Sequence, residues 1–447
     1  MNEAPKNVYI ETFGCQMNEN DTEILSAILA SSGSYKITND PAGSDVYLLN
    51  TCSVRENAEK TVLKRLENAR SLKRDNPDLV VGILGCMAEH MRETIFEKSD
   101  LVNVIIGPDE YRKAPGLIDA ALDGEVGIAV KLSRVETYED IEPLRKRGIS
   151  AWISIMRGCN NFCTYCVVPL VRGRERSLSL PAVIDSVAAI ADEGFKEITF
   201  LGQNVNSYRD EEYGADFADL LERAAVSAPY LRFRFTTSHP KDMSERLIEV
   251  MAEYPNICNH IHLPLQSGSN RILKMMNRKY DRERYLSLVE QIRSKIPDCS
   301  LSADIIAGFP GETDEDHRDT IDMLERVRFD GAFMFKYSPR EGAQAYAMGD
   351  TVPDEVKSAR LTKIIELQNS ISRENNEKEI GVAHEVLVEG ESRRNASEWM
   401  GRSTTNKVII FPNPDLFYKP GDLVNVRITR STSATLFGEP IKIAVNP

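Results

Sequence analysis

Apolar residues in the first 125 positions fall into two alternating patterns. Residues 8–13, 46–50 and 80–84 are short runs with the length and make-up of buried strands. Behind the first, Ile24, Leu25, Ile28 and Leu29 recur at helical spacing until Gly33. Behind the second, Val54, Ala58, Val62, Leu66 and Ala69 form one stripe of a longer helix, and a further helix follows the third. Such alternation predicts a parallel sheet, with all strand C-termini on one edge and ligands outside that edge. Each strand runs into a cysteine: Gly14-Cys15, Thr51-Cys52 and Gly85-Cys86. Three cysteines far apart in sequence are therefore expected to meet. Three buried core thiols are the other reading, since free cysteine is a frequent core residue. The same position in three successive units favours a shared ligand.

Residues 126–147 are charged and aperiodic and read as a connector. Apolar runs resume at 151–155, 197–201, 231–235, 260–265, 302–306 and 331–335, separated by helical stretches such as 180–193 and 244–254. Six strand–helix units predict a partial (β/α)6 barrel, with its site at the strand C-termini. Polar motifs stand there: Gly202-Gln203-Asn204, Ser238-His239, Gln266-Ser267-Gly268-Ser269 and Gly308-Phe309-Pro310-Gly311. The last lacks the Lys-Ser/Thr ending of a phosphate loop and reads as a tight turn shaping the site. A helix near 353–380 leads to short strands at 386–388, 407–411 and 423–428, a small antiparallel β-barrel of OB-like style. The expected class is α/β, divided as an N-terminal domain 1–125, a linker 126–147, a barrel core 148–375 and a tail 376–447.

Composition adds compartment and charge. The 447 residues suit about three domains. No apolar run reaches the ~20 residues of a membrane span, and the start, Met1-Asn2-Glu3-Ala4-Pro5-Lys6, has no apolar signal region. A cytoplasmic protein is expected, where eight cysteines are metal ligands or free thiols rather than disulfides. A net charge of −13 argues against indiscriminate nucleic-acid binding. The tail holds nine basic and nine acidic residues, so the excess acid lies before it and the tail has a different task.

Cys159, Cys163 and Cys166 directly follow the first barrel strand. Zinc would want a fourth Cys or His nearby, and two-cluster ferredoxins use tighter spacing with a fourth Cys before Pro. Three thiolates on a cubane iron–sulfur cluster leave one iron open to bind and activate something. This loop on a barrel-like chain, with Tyr165 before its last cysteine, resembles the radical S-adenosylmethionine superfamily. Phe13-Gly14-Cys15-Gln16-Met17-Asn18, Asn50-Thr51-Cys52-Ser53-Val54-Arg55-Glu56 and Gly85-Cys86-Met87-Ala88-Glu89 resemble the N-terminal domain of the methylthiotransferase family. The tail, with Gly401-Arg402-Ser403, is similar to a TRAM domain. The resemblance spans the chain. The stretch from Ser53 to Glu59, Gly202-Gln203-Asn204-Val205-Asn206 and Cys166-Val167-Val168-Pro169 most resemble the branch acting on isopentenylated adenosine in tRNA. Leu170 stands where that pattern has Tyr, which puts a substrate-side contact in doubt, and Ala303 stands where it has Thr.

The resemblance implies two [4Fe–4S] clusters, a radical-generating one on Cys159, Cys163 and Cys166 and an auxiliary one on Cys15, Cys52 and Cys86. It implies two S-adenosylmethionine molecules, one giving a methyl and one a 5′-deoxyadenosyl radical. The methylthio group would go to C2 of N6-isopentenyladenosine at position 37, beside the anticodon. A tRNA anticodon stem-loop is the implied partner, with flavodoxin or ferredoxin as electron donor and a monomeric enzyme. Tyr165, Gln203, Asn204, Ser238 and Gln266 are candidates for the cofactor, and Arg278 for its carboxylate; turn-capping groups and exposed helix charges are the plainer reading. Arg172, Arg174 and Arg176, and Arg393, Arg394, Arg402 and Lys407 from the tail, are candidates for RNA phosphates, against an ordinary solvated surface. Trp399, Cys258, Cys299, His239, His260 and His262 read as structural, and Asp304 as a loop cap. Rival family substrates are threonylcarbamoyl adenosine and a ribosomal-protein aspartate, and Val54-Arg55-Glu56-Asn57 argues against both. A non-catalytic RNA-binding protein with structural clusters is the rival from another class.

Overall fold

The computed structural model describes residues 4–53, 56–392, 395–413 and 416–441. Val54 and Arg55 of the substrate-branch signature, and Arg393 and Arg394, lie outside them.

The N-terminal layer is a six-stranded sheet of β1 (Lys6–Thr12), β2 (Tyr35–Thr38), β3 (Val46–Thr51), β4 (Val80–Gly85), β5 (Val104–Ile106) and β6 (Gly127–Ala129). The order is β2-β1-β3-β4-β5-β6, and every pair is parallel. All six residues of β3 and of β4 are buried, as central strands covered on both faces require. Val8, Leu48, Leu84 and Val104 pack on the face carrying helix α1 (Gln16–Ser31). Leu49, Val81, Ile83 and Ile105 pack on the other, with Val62, Leu66 and Ala69 of α2 (Glu56–Asp75). The connector reading of 126–147 needs correction, because β6 lies inside it. Its Gly-Ile-Ala is too short to carry a period, and Tyr138 further on is buried in the core on the α1 face of the same sheet.

The second layer holds β7 (Ser150–Ser154), β8 (Glu197–Leu201), β9 (Arg232–Phe235), β10 (His260–His262), β11 (Ser300–Ala307) and β12 (Gly331–Lys336). All run parallel in two groups of three, bridged where Phe233 pairs with Ile257 and Cys258 N donates to Phe233 O at 2.9 Å. This is the expected six-unit partial barrel. Ile198, Phe200, Phe233, Phe235, Ile261, Leu301 and Ile305 face outward into one large core. The alternate positions, including Trp152, Thr199, Arg234, His262, Asp304 and Phe333, line the inside. Asp304 caps no loop: it sits mid-strand, 3.4 Å from His262 Nε2.

The tail is a closed five-stranded barrel of β13 (Ala383–Ser392), β14 (Asn395–Ser403), β15 (Val408–Pro412), β16 (Leu423–Ser431) and β17 (Leu436–Pro440), in the order β13-β14-β15-β17-β16. One pair, β15–β17, is parallel and the others are antiparallel. Trp399 belongs to its core, beside Val386, Ile409 and Phe411. The tail closes the N-terminal end of the partial barrel. Arg234 donates to Ser403 O at 2.7 Å and Thr404 O at 3.2 Å, and Arg232 to Arg402 O at 3.1 Å.

Candidate functional site

Strand order sets the first triad. Strands β1, β3 and β4 are neighbours, and Cys15, Cys52 and Cys86 follow their C-termini. Cys15 caps α1 and is exposed; Cys86 opens helix α3 (Cys86–Met91) and, like Cys52, is buried. The strand ends crowd together: a Cβ on Gly14 would lie 2.6 Å from Cys52 Cβ. A hydrogen bond with Cys52 pulls the Cys15 thiol down to about 6, with help from Arg172. Burial pushes Cys86 up, and Arg172 opposes this with an Nε–H bond to its Sγ at 3.2 Å.

The second triad is held by a crossing of loops. Gly158 has φ +81°, and a Cβ there would lie 2.1 Å from Arg174 O, so only glycine fits. Its N–H donates to Gln203 Oε1 at 2.5 Å, and Cys159 N donates to Gly173 O at 3.1 Å. Thr164 N donates to Met276 O at 3.1 Å and Asn277 Nδ2 to Phe162 O at 2.9 Å, anchoring the far side. Burial pushes Cys159 up to about 11 and Cys166 to about 12, so a cation at the site is what would hold them as thiolates. Among the described residues no three His, Cys, Asp or Glu side chains stand close enough to share one metal ion. A cubane binds each cysteine through a separate iron, so wider triads with soft sulfur donors suit it.

The cofactor candidates divide. Gln203 fixes the cysteine loop through Gly158. Ser238 Oγ and His239 Nε2 are buried without a hydrogen-bond partner at the end of β9, unmet polar groups of the kind a polar ligand satisfies. Burial, then Arg278, pushes His239 down to about 2, so the ring is neutral; Nδ1 accepts from Lys241 N, leaving the proton on Nε2. Gln266 has φ +66° and is clamped by backbone bonds to Asp304 and Ile306. Two candidates are corrected. Asn204 is spent on Asp242 Oδ2 at 2.7 Å and His239 N at 3.0 Å. Arg278 is buried and gives its donors to Cys163 Sγ at 3.3 Å, Tyr165 OH at 3.4 Å, Pro264 O at 3.0 Å and Tyr280 OH at 3.1 Å, not to an open carboxylate site.

The RNA candidates need more correction. Arg172 is 2% exposed and Arg176 6%, so neither meets phosphate. Arg172 pairs with Asp21 at 2.7 Å and Arg176 with Asp109 at 2.9 Å. Lys407 is bound to Glu379 at 2.8 Å and Asp330 at 3.2 Å, and ties the tail to the barrel. Arg402 pairs with Glu389 at 2.9 Å, and Arg174 remains exposed over the Phe162 ring at 4.2 Å. Sequence reasoning missed the ionic core between the layers. Arg157, fully buried, meets Asp21 at 2.9 Å and Asp109 at 3.7 Å and lies over the Tyr138 ring at 5.0 Å.

A six-stranded partial barrel carrying a Cys-x3-Cys-x2-Cys loop after its first strand defines the radical S-adenosylmethionine class. The Radical SAM superfamily matches residues 153–324, the Uncharacterized protein family UPF0004 residues 7–107 and the TRAM domain residues 377–441. A radical S-adenosylmethionine methyltransferase, TsrM from Kitasatospora setae, shares the fold with TM-score 0.56 at 14% identity, over 74% of this chain and 72% of that one. The tRNA-2-methylthio-N(6)-dimethylallyladenosine synthase of Chloroherpeton thalassium is 52% identical over 97% of this chain and 96% of its own. That of Bacteroides fragilis is 49% identical over 98% and 96%. The chain belongs to the tRNA-2-methylthio-N(6)-dimethylallyladenosine synthase family.

Proposed function

We propose that this protein is a tRNA methylthiotransferase that places a methylthio group on C2 of N6-isopentenyladenosine at position 37. The observation that carries the reading is the pairing of two cysteine triads, each at the C-terminal edge of its own α/β layer. Arg172, six residues after Cys166, reaches Cys86 of the other triad. Cys159, Cys163 and Cys166 would hold the radical-generating [4Fe–4S] cluster, and Cys15, Cys52 and Cys86 the auxiliary one. When bound, the clusters and two S-adenosylmethionine molecules supply the radical and the methylthio group. Gln203 and the Gly158 crossing fix the cysteine loop. Ser238 and neutral His239 offer hydrogen bonds to the cofactor without adding charge. Arg278 supports Cys163 from behind. The tail barrel is the surface offered to the tRNA stem; of the arginine candidates named above, Arg402 on the tail and Arg174 beside the cysteine loop stay at or near the surface.

A low-potential carrier such as flavodoxin or ferredoxin delivers the electron, and the enzyme works as a cytoplasmic monomer. No described helix is long and apolar enough to cross a membrane. The test uses anaerobically reconstituted protein, dithionite, S-adenosylmethionine and an anticodon stem-loop bearing isopentenyladenosine, with nucleoside masses read after digestion. Methylthio-isopentenyladenosine together with 5′-deoxyadenosine is the expected result, and Cys15→Ala abolishes the former. Cofactor cleavage without RNA modification would move the substrate elsewhere in the family. No cleavage with both clusters intact would end the enzyme reading.

A further inference from the structure

Arg172 is buried, and its ion pair with Asp21 does not use all of its donors. Its guanidinium is enclosed between the two α/β layers and makes three contacts: Asp21 at 2.7 Å, Asn18 Oδ1 at 3.1 Å, and Cys86 Sγ at 3.2 Å through Nε. Its third nitrogen, Nη1, is buried with no partner. A buried N–H left unmatched is costly, and each such group calls for a cause. The charge count points the same way. Arg157, Arg172 and Arg176 face Asp21 and Asp109, three cations against two anions in a region closed to water. The group carries one positive charge in excess, and Arg172 brings it to the thiol of Cys86. A cubane held by three thiolates is anionic, and reduction adds a further electron. The surplus cation and the spare N–H are what such a cluster requires from its surroundings.

We propose that Arg172 is a positioning residue for the auxiliary cluster, raising its reduction potential through the Cys86 hydrogen bond and the surplus positive charge of the network it belongs to. The idea rests on the proposed function, which puts a cluster on Cys15, Cys52 and Cys86. Hydrogen bonds to cluster sulfurs and local charge are among the factors that set such potentials. Arg172 comes from the barrel layer, so the potential of a cluster in one layer is set by a residue from the other. The short helix of residues 168–171 lies between Cys166 and this guanidinium. Placement of the cysteine loop and tuning of the second cluster therefore share one turn of chain.

The test uses the full chain with Cys159, Cys163 and Cys166 replaced by Ala, so that only the N-terminal cluster reports. Its midpoint is measured by EPR-monitored redox titration. Arg172→Gln is expected to lower the reduced fraction at fixed potential at least tenfold, about 59 mV for one electron. Arg172→Lys keeps the charge, loses the geometry of the Nε–H bond, and falls between Gln and the parent. It also serves where the Gln variant does not fold. Arg176→Gln removes a cation of the same network that touches no sulfur, and is expected to shift the reduced fraction less than threefold. A midpoint unchanged in both Arg172 variants, or shifted equally by Arg176→Gln, overturns the proposal. A protein with Arg172 intact that takes up no cluster at the N-terminal triad overturns the two-cluster function, and this inference with it.

Discussion

Gly14→Ala separates the two cysteine sites with one methyl group. Gly14 has φ +124°, where an L side chain costs ~1–3 kcal/mol. The added Cβ would stand 2.6 Å from Cys52 Cβ and 3.1 Å from Asn18 Nδ2. Ordinary contact begins near 3.4 Å, so the ends of β1 and β3 must part by about 0.8 Å, the difference between 3.4 and 2.6. Overpacking of this kind costs ~1–3 kcal/mol more. The sum, ~2–6 kcal/mol, is smaller than all but the low end of the ~5–15 kcal/mol that a domain has in hand, so the chain is expected to fold. The displacement, however, exceeds the ~0.5 Å within which a metal constellation keeps its geometry. Reconstituted Gly14→Ala is expected to hold about four irons per chain in place of about eight. It still makes 5′-deoxyadenosine from S-adenosylmethionine, and methylthio product drops more than tenfold. Iron analysis, Mössbauer spectra and nucleoside masses read these three outcomes. Full iron and full product would refute the argument, and joint loss of both clusters would show that the strain is not local.

Three further expectations test the surroundings. Asp21→Asn strips a carboxylate shared by two buried arginines and is expected to cost ~3–5 kcal/mol in urea unfolding; a loss under ~1 kcal/mol would mean the pairs are not integral. His239 has its folded pKa pushed down to about 2 from 6.5, so its contribution is whole above 6.5 and is lost as pH falls toward 2, at ~1.4 kcal/mol per pH unit. Between pH 6.5 and 5, His239→Asn should therefore lose about 2 kcal/mol less stability than the parent, and parallel urea midpoints would contradict the buried neutral ring. Arg234→Met removes the bonds to Ser403 and Thr404 and leaves Glu197 short of its 2.7 Å partner. Limited proteolysis near residues 378–382 should then release the tail at least tenfold faster, and equal resistance would show that the tail is held elsewhere.

The sequence was most readable where periodicity and function coincide. Cys15, Cys52 and Cys86 repeat one position in three strand–helix units, so their meeting on the sheet edge follows from strand order. The six barrel strands carry apolar runs long enough to stand out. Strands β2, β5 and β6 have only three or four residues and no period to detect. The tail strand β14 is mostly polar and escapes for that reason. Burial between the layers has no periodic signal. Asn18, Asn20, Asp21, Thr22 and Glu23 are polar residues of α1 and all are buried, with Asn18 and Asp21 meeting arginines of the second layer. Arg172, Arg174 and Arg176 read as one exposed row, but Gly173 at φ +71° breaks the extended backbone that a row needs. Arg172 and Arg176 consequently turn inward while Arg174 turns out. Charge pattern alone does not distinguish a surface from an interface between layers.

The seat of the tail barrel has a consequence for how such an enzyme changes over time. Arg232 and Arg234 grip it mainly through the carbonyl oxygens of Arg402, Ser403 and Thr404. Every amino acid supplies a carbonyl, so these bonds are indifferent to most side chains at those positions. Substitutions on the outer surface of the tail can accumulate without unseating it. The part offered to RNA is thus free to drift toward a new stem while its distance from the cysteine loop is preserved, a division of labour that leaves recognition adaptable and reach constant.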